Sequence, residues 1–422
     1  MAVAAPSDPE AFRLGLRAPH AVAAPASVEA LSKLLRASDA NDESVVFFGG
    51  GTLQGIGNAP SRYDLAISLA KLSKVIAYEH RDLTIAVQSG MRVAALDAKL
   101  SAKGQFVPLD APHASRSTVG GVLAAGWLGP RRATYGRPRD FVIGSAIVLA
   151  DGTVAHAGGM VVKNSTGYDL SRLYVGSLGT LGALVRTNFK TLPLPPARRA
   201  AIASLPERTR RRAIDHVATL GYEPVAALVV RGFGGEIAGR DGLDGRLLLF
   251  YEGSPVTIDK ATRELRSALG AAGVPETTIL DREAAVTFTR LVDAYVSPLG
   301  DKGATYRSFG TPSDLGPRFE LVAALAAQHS LELESIEDLR TGDLIARLSA
   351  PSPDEFTQAA VVFDDALHVQ LPYAQVLVAP PSLRDRLSMW GNDPPALPQM
   401  RALKQRFDPN GTLAPGRFVC GI

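Results

Sequence analysis

Val45-Val46-Phe47-Phe48-Gly49-Gly50-Gly51-Thr52 sets a run of β-branched and aromatic residues directly before three glycines and a threonine. The first four residues read as a short strand and the glycines as the tight turn that ends it. Backbone N–H groups in a Gly-rich turn form a concavity for anions, and the absent side chains let a pyrophosphate come close. A dinucleotide cofactor fits this loop, although a purely structural turn would look the same in isolation. Two common phosphate motifs are excluded. No Gly-Lys-Ser/Thr follows Gly50, and the sixth position counted from Gly49 is Gln54 where the dinucleotide fingerprint requires Gly.

Outward from the loop, Leu65–Leu69, Val75–Tyr78 and Leu83–Gln88 are further strand candidates. Arg92–Lys103 places Val93, Leu96 and Leu100 at helical spacing, and Gly104 stands where a helix end favours a left-handed residue. Two more glycine-dense stretches follow, Ser117–Gly136 and Gly158–Gly182, separated by the strand candidate Phe141–Ala150. Leu192-Pro193-Leu194-Pro195-Pro196 reads as a linker, because its prolines block helix continuation and ladder donation. Beyond it, strand candidates Val225–Val230, Arg246–Tyr251, Thr305–Phe309 and Asp343–Leu348 alternate with helical patterns at Glu207–Leu220, Thr257–Leu269, Arg318–Gln328 and Pro353–Leu367. That half predicts α+β structure, an antiparallel sheet with helices on one face.

A chain of 422 residues exceeds the size at which a single core keeps growing, so two domains are expected. With 46% hydrophobic and 21% charged residues it is a foldable globular sequence, and a net charge of +3 offers no footprint for nucleic acid. Cys420 is the sole cysteine, which excludes an internal disulfide and any multi-thiolate zinc or iron–sulfur site within the chain. No apolar run reaches about 18 residues, so no transmembrane segment is expected, and the start lacks the order of a signal peptide. The Ala/Pro-rich opening up to Ala24 reads as a loose terminus, with a short organellar leader as the other reading. A cytoplasmic protein is the default, or one at the inner face of a membrane as part of a complex.

Several segments taken in order carry a resemblance. Val22–Glu29, the Gly49–Thr52 loop, Asp82-Leu83-Thr84 running to Gly90, Gly120-Gly121, Tyr135-Gly136 before Asp140, and Gly176-Ser177-Leu178-Gly179-Thr180-Leu181-Gly182 resemble the PCMH-type FAD-binding domain of the vanillyl-alcohol oxidase superfamily. Pro112-His113, Gly129-Pro130-Arg131-Arg132, Arg139–Val142, Lys163-Asn164 and Gly167–Leu173 are similar to the FAD-binding subunits of bacterial glycolate oxidases, as is the tail at Met400–Lys404, Phe407–Gly411 and Pro415-Gly416-Arg417. The resemblance implies an α+β fold with a loose N-terminus over 1–19 and a two-subdomain FAD-binding domain over 20–196. An α+β cap domain would follow over 197–397, then a C-terminal helix and tail over 398–422 returning to the FAD domain. It also implies cofactor contacts. Gly50, Gly51, Thr52 and Leu53 with the turn Thr118, Val119, Gly120 and Gly121 would hold the pyrophosphate, and Gly49 and Pro112 are further implied cofactor contacts. Gly126, Tyr135, Gly136, Asp140, Gly179 and Gly182 would shape the channel for the ribityl and adenine parts. The first loop carries no His or Cys for covalent attachment, so dissociable FAD is expected, with His113 the imidazole to watch.

Departures from the family bear on chemistry. Relatives that oxidise 2-hydroxy acids carry His-x-Gly-Asp-Gly-Asn-x-His, whose imidazoles hold a divalent metal, and the corresponding stretch here is Arg340-Thr341-Gly342-Asp343-Leu344-Ile345-Ala346-Arg347. Guanidinium has no lone pair, so it neither ligates a metal nor serves as an ordinary base, and no metal site is expected. Arg307 and Arg347 are candidate carboxylate clamps, with a structural salt bridge as the competing reading. The cluster Arg208, Arg210, Arg211 and Arg212 reads as a solvated helix face or one turned to an acidic partner. Ala414 stands where relatives usually carry Asn near the flavin. The expectation is an FAD-binding subunit of a multi-subunit glycolate (2-hydroxy acid) oxidase or dehydrogenase, electron-transferring or accessory. Its implied partners are a metal-bearing flavoprotein subunit and an iron–sulfur subunit. A stand-alone flavin oxidoreductase and a non-catalytic structural subunit are the alternatives.

Overall fold

Parallel pairing opens the chain: Leu65–Ser68 lies between Ala21–Ala23 and Val45–Phe48. The helix Val28–Ala40 makes the crossover between the two outer strands, and residues 49–64, which begin with the glycine loop, connect Val45–Phe48 to its parallel neighbour. The Ser27 side chain caps that helix by accepting from the Ala30 N–H at 3.1 Å, and Leu31 and Leu35 turn inward to a core with Val45, Ile67, Val148 and Leu413. In the computed structural model, residues 8–161, 170–233, 245–274 and 276–422 are described. The resemblance motifs at Lys163-Asn164 and Gly167-Tyr168-Asp169 lie outside them.

A five-stranded antiparallel sheet follows, in the order Val75–Glu79, Thr84–Gln88, Ala183–Lys190, Val142–Val148, Val154–Gly158. The helix Val93–Ser101 buries Val93, Leu96 and Leu100, and Gly104 adopts a φ of +65°. The proline segment differs from its reading as a bare linker, because Leu192–Pro193 pairs antiparallel with Gln105–Phe106. Proline lacks only the donor, and its carbonyl still serves a two-residue edge.

The chain divides into two compact units. The first comprises residues 1–128, 137–194 and 379–422, and the second 129–136 and 195–378. The division at 194/195 falls within the expected linker, while residues 129–136 leave the first unit and residues 379–397 belong to it rather than to the second. Pairing explains part of this: the Val45 N–H donates to the Thr412 carbonyl and the Ala414 N–H to the Val45 carbonyl, both at 2.7 Å, which sews the tail to the first sheet. The second unit is built on an eight-stranded, wholly antiparallel sheet. Its order is Thr277–Leu280, Ala197–Leu205, Gly245–Gly253, Ala226–Arg231, Glu332–Asp338, Leu344–Ser349, Gly303–Ser308, Gln375–Val378. Leu205, Ala213, Val229, Leu249, Ile258 and Leu265 form its core beneath the helices Glu207–Ala218 and Pro255–Ala271.

Candidate functional site

Within the first unit the strand Val45–Phe48 delivers its glycine loop into a cleft that is open to solvent. Gly49, Gly50, Gly51, Thr52 and Leu53 line it, with Thr118, Gly120, Gly121, Gly179 and Gly182 from distant parts of the chain. Two loops meet tightly here. A Cβ added at Gly50 would stand 1.8 Å from the Arg116 carbonyl oxygen, so only glycine permits the approach. Gly51 differs: its φ is +72° and no protein atom lies within 4 Å of where a Cβ would be. A side chain at Gly51 would enter open space.

The polar inventory matches an anionic, hydrogen-bonding occupant. The backbone N–H groups from Gly50 through Gln54 donate to no acceptor among the described residues, so they are free to meet an occupant of the cleft. The Ser89 hydroxyl, 2% exposed and also on the cleft wall, likewise lacks a partner among them. The Thr118–Gly121 turn contributes shape more than donors, because the Val119 N–H is taken by the Met91 carbonyl, the Gly120 N–H by the Ser89 carbonyl and the Gly121 N–H by the Thr118 hydroxyl. Ser117 donates to the Pro112 carbonyl at 2.5 Å, so the Thr52 hydroxyl, 2.6 Å away, must donate to Ser117 and keeps its lone pairs available.

Residues 19–158 match the family described as FAD binding domain. This part of the chain is an FAD-binding domain. Glycolate oxidase subunit GlcE of Escherichia coli is 35% identical over 200 residues, covering 47% of this chain and 53% of that protein. Glycolate oxidase subunit GlcD of Bacillus subtilis is 33% identical over 185 residues, covering 44% and 39%. A D-2-hydroxyglutarate dehydrogenase of Xanthomonas citri is 32% identical over 188 residues, covering 44% and 40%. The matches thus span about half or less of these relatives. Among solved structures, p-cresol methylhydroxylase with substrate bound superposes with a TM-score of 0.72 at 15% identity, over 95% of this chain and 88% of that one. A 4-ethylphenol oxidase from Gulosibacter chungangensis gives 0.70 at 16% identity, over 95% and 89%. The α+β fold is that of these proteins.

The other expected residues of the FAD-binding domain fall around the cleft or away from it. Val119 is buried behind the turn, and Gly126 follows the helix Val119–Ala124 with a φ of +60°. Asp140 caps its own turn, accepting from the Arg137 N–H at 2.8 Å. Tyr135 and Gly136 lie in the second unit, where the Tyr135 hydroxyl donates to Glu252 at 2.6 Å and Gly136 ends the short helix Arg132–Tyr135. His113 does not line the cleft, and no His or Cys does among the described residues. Residues that sequence reasoning passed over are Gln54, Ser89, Tyr174, Ser177 and above all Arg417, all on the cleft wall. The tail motif Pro415-Gly416-Arg417 was the available signal for the last of these.

In the second unit the candidate clamps already hold carboxylates of the chain. Arg307, 3% exposed, grips Asp343 through Nε at 2.8 Å and through Nη2, and Arg132 takes the other Asp343 oxygen at 2.5 Å. Burial pushes the Asp343 carboxyl up, but the two guanidinium groups outweigh it and hold the pKa below the ordinary value. Arg347 pairs with Glu334 at 3.3 Å and covers the Phe233 ring, while Arg340 pairs with Glu223 at 2.6 Å. Arg210 of the expected basic cluster turns inward to Glu337, which Arg231 also holds. Among the described residues no group of three or more His, Cys, Asp or Glu could hold a metal ion, and no helix is long and apolar enough to cross a membrane.

Proposed function

We propose that this chain is the FAD-binding subunit of a multi-subunit glycolate (2-hydroxy acid) oxidase or dehydrogenase, with an electron-transfer or accessory role. The observation that carries the reading is the 35% identity over 200 residues with a glycolate oxidase subunit. The second unit supports the accessory role. The two positions that match metal-ligating histidines in the resembled relatives are Arg340 and Arg347, whose side chains offer no lone pair and are paired with Glu223 and Glu334. A metal-bearing flavoprotein subunit and an iron–sulfur subunit are the partners, and a small 2-hydroxy acid is the substrate of the assembly. The cytoplasm, or the inner face of a membrane reached through those partners, is the location.

FAD, held without a covalent bond, supplies two-electron oxidation and can pass the electrons on singly. The chain binds and orients it. Amides from Gly50 to Gln54 would hold its anionic part, Thr52 and Ser89 would offer hydroxyls, and the Thr52–Ser117–Pro112 relay fixes the loop against the turn. Affinity purification of the tagged full chain from its native cells, followed by an absorption spectrum, tests the reading. Flavin and iron–sulfur bands with two further flavin or iron–sulfur polypeptides are expected. A yellow single chain that oxidises glycolate unaided would favour a stand-alone enzyme.

A further inference from the structure

Among the described residues of the FAD-binding unit, two buried guanidinium groups, Arg417 and Arg384, hydrogen-bond to no carboxylate. Arg417, 2% exposed, donates through Nη1 to the Asn58 carbonyl at 3.2 Å and through Nη2 to Gln54 Oε1 and the Ile56 carbonyl, each at 3.0 Å. Its Nε has no acceptor among the described residues. Arg384, 7% exposed, donates to the carbonyls of Gln54, Gly55 and Gly57, and its Nε is likewise unmatched. Both therefore strap the segment that continues the glycine loop, and all their acceptors are neutral. Burial and the neighbouring Arg384 charge push the Arg417 pKa down to about 9, still protonated at neutral pH, with Tyr63 acting the other way. A charge kept out of water with no counter-ion is costly, and a fold retains one where an anion completes it.

The cleft names that anion. Arg417 is the one cation among the described residues lining it, and Gln54, which Arg417 holds, ends the run of unpaired amides beginning at Gly50. A diphosphate on those amides brings two negative charges that the amides, carrying only partial charge, do not neutralise. We propose that Arg417, presented by the C-terminal tail and backed by Arg384, is the counter-charge for the diphosphate of bound FAD. This rests on the cleft being the FAD site. The tail is placed for it, since Leu413 and Ala414 are fully buried against the first sheet and Lys404 Nζ donates to the Leu413 carbonyl at 2.7 Å.

The test uses full-length apoprotein titrated with FAD, riboflavin and ADP, in the wild type and in Arg417→Gln and Arg417→Lys. Arg417→Gln is expected to weaken FAD and ADP by at least about tenfold, the worth of one charge-assisted contact, and to leave riboflavin, which has no phosphate, unchanged. Arg417→Lys keeps the charge but not the forked carbonyl bonds, and is expected to hold FAD within about threefold of wild type. Rising salt should weaken wild-type FAD binding more than riboflavin binding. Unchanged FAD affinity in Arg417→Gln, or equal losses for FAD and riboflavin, would overturn the proposal. If Arg417→Gln does not fold, the Lys variant and the salt series decide, and loss of FAD by Lys overturns it. A wild type that binds no FAD would instead refute the cofactor assignment itself, and the proposal with it.

Discussion

The hydroxyls of Thr52 and Ser117 lie 2.6 Å apart, and Ser117 spends its own proton on the Pro112 carbonyl. This relay ties the glycine loop to the turn beyond it through a buried serine. Removing Ser117 Oγ leaves a carbonyl and a hydroxyl with no partner. Ser117→Ala is expected to cost about 1–3 kcal/mol of stability in the FAD-binding unit and to weaken FAD. Thermal unfolding with and without FAD checks both, and an unchanged melting curve in both states would contradict the relay.

Gly51 offers a sharper separation of folding from binding. No protein atom meets a Cβ there, so a side chain costs chiefly the strain of its left-handed φ, about 1–3 kcal/mol. Gly51→Ala should fold and bind FAD somewhat less tightly. Gly51→Glu should fold to a colourless protein, because its carboxylate stands against the diphosphate nest. Circular dichroism and flavin absorbance read the two properties separately, and a yellow Glu variant would contradict the placement.

Arg307 and Asp343 are a buried ion pair, so Arg307→Ala tests structure before chemistry. Leaving Asp343 and Arg132 without the second guanidinium should cost about 3–5 kcal/mol. Denaturant unfolding should show the loss, and Asp343→Ala should show one of similar size. A fully stable Arg307→Ala variant that loses activity would return Arg307 to the role of substrate clamp.

His368 makes stability depend on pH. Its Nδ1 lies 2.8 Å from the Asp364 carbonyl and its Nε2 3.0 Å from the Ala374 carbonyl, two acceptors that only the protonated ring serves together. Burial alone would lower its pKa, but these bonds and the buried Asp364 carboxylate raise it above the ordinary 6.5. Tyr306, on the adjoining strand, also faces Asp364. A raised folded-state pKa means the stabilisation is complete below about 6.5 and is lost as pH climbs through the folded value. Melting temperatures should fall across that window in the wild type and much less in His368→Gln. A flat wild-type profile would contradict the protonated ring.

Much of this was legible in the sequence because local chemistry set it. Val45–Phe48 running into three glycines marks strand and turn without tertiary help, and Val93, Leu96 and Leu100 mark their helix by spacing. Other features are set at long range. Ala197–Leu205 carries arginines at Arg198 and Arg199 and small alanines, hiding a strand whose place comes from pairing with Gly245–Gly253. The departure of residues 129–136 into the second unit has no compositional mark, since Arg131 and Arg132 find Glu252 and Asp343 far along the chain. Arg417 could be noticed only as part of a tail motif. Its partners Gln54, Ile56 and Asn58 lie some 360 residues earlier.

The proposed dependence of this flavin subunit on partners is tested most directly by dye reduction with the purified, FAD-loaded chain, with glycolate, D-lactate and glycerate each supplied. Little or no reduction by the chain alone is predicted, with activity appearing when the partner subunits are added. Rapid turnover by the isolated chain would contradict a role that requires partners.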